Sequence, residues 1–203
     1  MPVLPTQLLW INLIASVALS LPLAFEVREP DTMVRPPRSP NGPILGRFVV
    51  LRTLLVALLM ATGGVGLFLW EYRTEAPVRG HEIALREAQT MAVTTVVFFQ
   101  IFYLVNCRSL RASAFKMGFF SNWTVFAGIG VLLMLHAGFI YLPFMQTIFG
   151  TAALQPAALA LSVLVAASIW PLISLEKTLR SRSTIAPIGS SRRRLSAKHA
   201  HTA

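Results

Sequence analysis

Asn12, Ser16 and Ser20 are small polar residues at every fourth position of an otherwise apolar stretch from Gln7 to Phe25. On a helix of about 3.6 residues per turn they form one slowly drifting stripe. The rest of the helix surface suits lipid, so the stripe must face protein, because an unpartnered amide or hydroxyl in hydrocarbon is costly. A second polar set follows in Thr90, Thr94, Thr95, Gln100, Tyr103 and Asn106. Gln100 falls near the middle of an uncharged run, where two uses of its amide are open: an oxygen ligand for an ion, or a hydrogen bond between helices. His136 is the lone ionisable group of its own run, and again two roles are open, a proton or ion role and a neutral, hydrogen-bonded one. A cation crossing a bilayer must exchange its water shell for oxygen ligands, and divalent cations generally need carboxylates among them. The sequence supplies amides and hydroxyls at mid-run but no carboxylate.

Other residue types carry less. Cys107 is the only cysteine, which excludes an intrachain disulfide and argues against a metal cluster. His199 and His201 do not make a metal site by themselves. Gly63, Gly64 and Gly66 have no strand before them and lie in an apolar run, so they predict close helix packing rather than phosphate binding.

The elements that must hold these residues follow from composition. Hydrophobic residues make up 55% of the 203 and charged ones 13%, beyond what a soluble core requires and typical of a membrane protein. Residues 1–25, 53–70, 88–107 and 117–175 contain no Asp, Glu, Lys or Arg. A bilayer core takes about 20 helical residues, so the first three runs each cross once, and the last must fold back between Pro143 and Pro156, around Gly150. The expected fold is therefore an all-α bundle of five transmembrane helices, about 7–25, 48–70, 88–106, 122–142 and 153–175. Arg52 lies a single turn inside the second, within reach of lipid headgroups. Trp70 and Tyr72 mark an interfacial belt before a charged loop over 71–87, whose last part, 81–88, can already begin as helix, and Pro171 predicts a kink near the end of the fifth helix.

Orientation is read from Lys and Arg. Fifteen fall in 26–52, 107–121 and 176–203, against Arg73, Arg79 and Arg86 in 71–87. The positive-inside rule makes the richer stretches cytoplasmic, with the N-terminus outside and the C-terminus inside. The first helix has no basic leader and carries its positive flank on the far side, so it is expected to be retained rather than cleaved as a signal. A net charge of +10 divided among membrane flanks, without interleaved aromatics, points to topology and anionic lipid and not to nucleic acid. Residues 177–203 read as a basic, disordered cytoplasmic tail. Prolines at 30, 36, 37, 40 and 43 make the loop 26–46 stiff and extended.

Several stretches together resemble one family. Leu9-Trp10-Ile11-Asn12-Leu13, followed by Glu29-Pro30-Asp31-Thr32-Met33 and Arg35-Pro36-Pro37-Arg38, is similar to the sixth transmembrane helix and following cytoplasmic loop of P-type cation-transporting ATPases. Ala92-Val93-Thr94, the run Phe102 to Leu110, and Tyr141-Leu142-Pro143-Phe144-Met145 resemble the eighth helix and the loop after the ninth. The resemblance makes residues 1–176 a C-terminal transmembrane domain, the sixth to tenth helices, in a truncated or split product in the cell membrane. It implies that Arg35, Pro36, Pro37 and Arg38 form a loop that couples the membrane region to a phosphorylation domain. It also implies an ion path through Asn12, with Ser16 and Gln100 as neutral stand-ins.

Departures from the pattern bear on that path. Ala15 and Ser16 stand where calcium and sodium/potassium pumps place Thr and Asp, and Gln100 where calcium pumps carry Glu. A weaker monovalent site, another ion and a non-transporting remnant all stay open. The Gly and Pro that usually unwind the sixth helix are missing, Pro22 coming further on. The phosphorylation motif Asp-Lys-Thr-Gly-Thr and any Walker loop are absent from the sequence, so the chain is expected to be no enzyme on its own. It is expected to bind no cofactor, with ATP and magnesium entering only through a catalytic part on a separate chain. The expected partners are the bilayer, that chain and the transported cation. The rival is a stand-alone, non-transporting membrane scaffold or regulatory protein derived from the same fold.

Overall fold

A computed structural model describes residues 1–25, 47–107 and 123–173. Met1–Trp170 form one compact unit; of the second, Pro171–Ala203, residues 171–173 are described and are helical. Among the described residues every regular element is a helix. Four segments, Val49–Arg79, His81–Asn106, Trp123–Tyr141 and Pro156–Ile173, are long and apolar enough to cross a membrane. The first helical segment is shorter and composite.

That segment opens with α1 (Pro5–Ala15). Pro5 sits in the first turn, where its missing N–H leaves no bond unmade. The Gln7 side chain is fully buried, accepts from the Leu4 N–H at 3.1 Å and donates to the Phe149 carbonyl at 3.0 Å. The helix widens to a π turn over Ser16–Ser20 and resumes as α2 (Leu21–Leu23). Pro22 supplies the cause: it has no N–H to offer the Ala18 carbonyl four residues earlier, and its ring crowds that carbonyl. The irregularity that the sequence left without its usual Gly and Pro is therefore present, produced by a proline further along.

The helix that follows, α3 (Arg47–Arg79), overruns its expected end at Trp70, and α4 (His81–Cys107) takes in the stretch 81–88 that could begin as helix. Charge in 71–80 suggested a loop; instead the chain stays helical up to Gly80 and again directly after it. Local pairs favour helix there: Phe68 stacks on Tyr72, Arg86 reaches Glu82 at 3.1 Å, and Arg79 pairs with Glu87 across the turn. Gly80 makes the reversal alone, with φ +89, a backbone state that costs any other L-residue. At about 1.5 Å per residue α3 is ~50 Å long, well beyond a ~30 Å hydrocarbon core, so one end projects from the membrane.

Of α4's most apolar window 72% is buried, against 22–28% for the other spans, which makes α4 the centre of the bundle. Against it α3 packs through Gly63, where an added Cβ would come within 2.6 Å of the Phe99 ring; Gly64 makes ordinary contact and Gly66 faces open space. Arg52 does not reach outward as expected. It is 5% exposed, with its guanidinium 5.7 Å from the centre of the Tyr103 ring, a cation–π arrangement that holds it inward.

The rest of the unit is α5 (Trp123–Tyr141), α6 (Pro143–Phe149) and α7 (Pro156–Ala167). The chain turns back through Gly150, in the left-handed region at φ 63. Trp10 stacks on Phe139, and Phe149 lies tilted against both, at centroid distances of 5.1–5.3 Å, which ties α1 to α5 and α6. After α7 the ladder tightens at Ser168, whose N–H returns to the Val165 carbonyl at 3.2 Å, three residues before Pro171, which has no N–H.

Candidate ion-path pocket

Along the first segment burial repeats every fourth residue. Gln7, Ile11, Ala15 and Leu19 are buried, Trp10, Ile14 and Ala18 half-buried, and Asn12, Ser16 and Ser20 exposed. Contrary to expectation, the polar stripe is not covered by the described residues: the apolar file beside it takes the packed face. An α-helix advances about 100° per residue, so residues four apart drift by about 40°. A π turn spreads its hydrogen bonds over one more residue and advances less at each step, which turns the drift back over Ser16–Ser20. The three polar residues thus stay in one file.

That file lines a cavity of about 260 Å³ whose other wall is α4: Ile11, Asn12, Ala15, Ser16, Leu19 and Ser20 face Gln100, Tyr103 and Leu104. The structure therefore brings Asn12, Ser16 and Gln100 to one place. The Gln100 Oε1 atom is buried and has no hydrogen-bond partner among the described residues, an acceptor left open toward whatever enters. Five oxygen-bearing side chains line the cavity and none is a carboxylate. Such a lining can replace part of a cation's water shell without neutralising its charge.

Sequence reasoning did not foresee the apolar half of the wall or Tyr103 as part of it, because both depend on which face of α4 meets α1. The period of four in the stripe, set beside Pro22, was the available signal for the widened helix. Arg35, Pro36, Pro37 and Arg38 lie outside the described residues.

His136 is not in the cavity lining. It is 2% exposed, stacks on Phe139 and pairs through Nε2 with Thr94 Oγ1 at 3.2 Å. Thr94 already gives its hydroxyl proton to the Thr90 carbonyl at 2.7 Å, so the Nε2 nitrogen is the donor and the ring is held in that tautomer. Thr90 in turn donates to Arg86 O at 2.7 Å and accepts from the Ala152 N–H at 2.9 Å. These bonds fasten α4 to α5 and to the turn before α7. Among the described residues no group of three or more His, Cys, Asp or Glu could hold a metal ion.

Apolar helices of membrane length around one buried helix, with polar side chains converging on an open cavity, define a multi-pass α-helical membrane protein. The family described as cation transporting ATPase, C-terminus, matches residues 1–179, and the chain belongs to it: it is a C-terminal membrane part of a P-type cation-transporting ATPase. Relatives include a probable cation-transporting ATPase F of Mycobacterium bovis, 41% identical over 76% of this chain and 16% of its own length. Calcium-transporting ATPase 1 of Yarrowia lipolytica is 30% identical over 90% of this chain and 19% of its own. Calcium-transporting ATPase type 2C member 2 of Mus musculus is 33% identical over 87% and 18%. The chain spans 16–19% of the length of these relatives.

Proposed function

We propose that this membrane part contributes the neutral side of a cation path, with Asn12, Ser16 and Gln100 as oxygen ligands in the α1–α4 cavity. The observation that carries the reading is their convergence: two helices far apart in sequence bring a stripe of polar residues and an open amide oxygen to one cavity. Charge compensation must come from carboxylates outside the lining, since a cation in a low-dielectric site with neutral ligands alone keeps much of its desolvation cost. The exposed file of Asn12, Ser16 and Ser20 is the side on which a further membrane segment would supply them.

In this reading the N-terminus is outside and the C-terminus cytoplasmic, supported by the fifteen basic residues on one set of flanks. Arg35, Pro36, Pro37 and Arg38 couple the bundle to a phosphorylation domain. Phosphorylation and nucleotide binding, with ATP and magnesium, belong to catalytic domains outside residues 1–203, which hold no aspartyl-phosphate or Walker motif.

The test is ion-stimulated ATP turnover of these residues together with such catalytic domains, joined to them or supplied separately. Asn12→Ala raises the cation concentration for half-maximal stimulation about tenfold, ~1.4 kcal/mol of lost ligation. Unchanged stimulation returns Asn12 to helix packing and removes the ion path from this cavity.

A further inference from the structure

The π turn needs room, and α5 provides it. A Cβ added at Gly128 would overlap the Ala18 carbonyl oxygen and stand 2.6 Å from Pro22 Cγ. The Ala18 carbonyl is the one that Pro22 cannot bond and must displace, and Gly128 is the place on α5 where it fits. One turn earlier on the same helix, Thr124 Oγ1 donates to the Pro22 carbonyl at 3.4 Å. Two contacts from α5, at Ala18 within the π turn and at Pro22 just after it, thus hold the C-terminal part of the irregular stretch on residues outside the cavity lining.

We propose that Gly128 is a positioning residue for the cavity. By seating the Ala18 carbonyl it keeps Ser16–Ser20 in the π turn, and the π turn returns Ser20 to the file of Asn12 and Ser16. With any side chain at 128 the carbonyl loses its seat and the stretch must leave α5. Ser20 then rotates away, while Asn12, which precedes the π turn, keeps its place. The proposal deepens the cation reading by naming what shapes its site, and it rests on that reading only for the purpose of the site.

The experiment uses the full chain in lipid vesicles with Cys107→Ala as background and an aqueous maleimide as probe. Asn12→Cys and Ser20→Cys are both expected to react, and Leu13→Cys, on the lipid-facing side, sets the unreactive level. Adding Gly128→Ala brings Ser20→Cys down to the Leu13→Cys level and leaves Asn12→Cys reactive. Pro22→Ala, which restores an N–H for Ala18 and adds no bulk, has the same effect on Ser20→Cys, and combining it with Gly128→Ala adds nothing further. Parental labelling of Ser20→Cys with Gly128→Ala overturns the proposal, and so does loss of labelling at both Asn12→Cys and Ser20→Cys in Pro22→Ala. These rates report helix register whatever the cavity holds, so they are decided apart from ion-stimulated turnover.

Discussion

At the scale of single residues, the cavity is defined as much by the oxygen it lacks as by those it has. Asn12, Ser16, Ser20, Gln100 and Tyr103 are neutral, and hard divalent cations favour sites with more anionic oxygen. Gln100→Glu is therefore expected to shift ion preference toward divalent cations, lowering the divalent concentration for half-maximal stimulation relative to the monovalent one; an unchanged ratio would place Gln100 outside the ligand set. Which residues carry polarity was legible in the sequence, since Asn12, Ser16 and Gln100 stand out against uncharged runs. What each one touches was not. Arg52 was expected at the headgroups because its distance from the helix end suits snorkelling, but the Tyr103 ring on α4 offers it a nearer surface, and that pairing follows from the rotation of two helices that no local pattern fixes.

At the scale of elements, glycines of similar sequence context differ in what they do. Gly63→Ala is expected to lower the midpoint of thermal unfolding in detergent, because the Phe99 ring it would strike is 1% exposed and has no room to retreat. Gly66→Ala, which meets nothing within 4 Å, is expected to hold or raise the midpoint by the helix preference of Ala over Gly, up to about 1 kcal/mol. Gly80→Ala should cost about 1–2 kcal/mol, the penalty of a left-handed residue, read as a lower midpoint in the same assay. The sequence showed apolar spans clearly, because a bilayer demands length and absence of charge. Their ends were less legible: residues 71–79 carry charge and read as loop, yet charge paired at helical spacing, as in Glu82 and Arg86, or across a turn, as in Arg79 and Glu87, supports helix.

At the scale of the whole molecule, the asymmetry of basic residues makes a topological prediction. Membrane-impermeant labels should reach residue 2 from outside sealed cells and residue 202 only after permeabilisation; access to both from one side would reverse the reading of the flanks. The purified chain is expected to show no vanadate-sensitive ATP hydrolysis, measured as phosphate release above a lipid blank. Under the proposed function, energy reaches these helices as a mechanical displacement, and the single-residue joint at Gly80 bears on how. Two long antiparallel rods with no slack between them behave as a lever with its fulcrum at the far end. On the proposed function, a push arriving at Arg47 loads α3 first, and α4, which carries Gln100 and Tyr103 into the cavity lining, is joined to it along the chain through Gly80 alone.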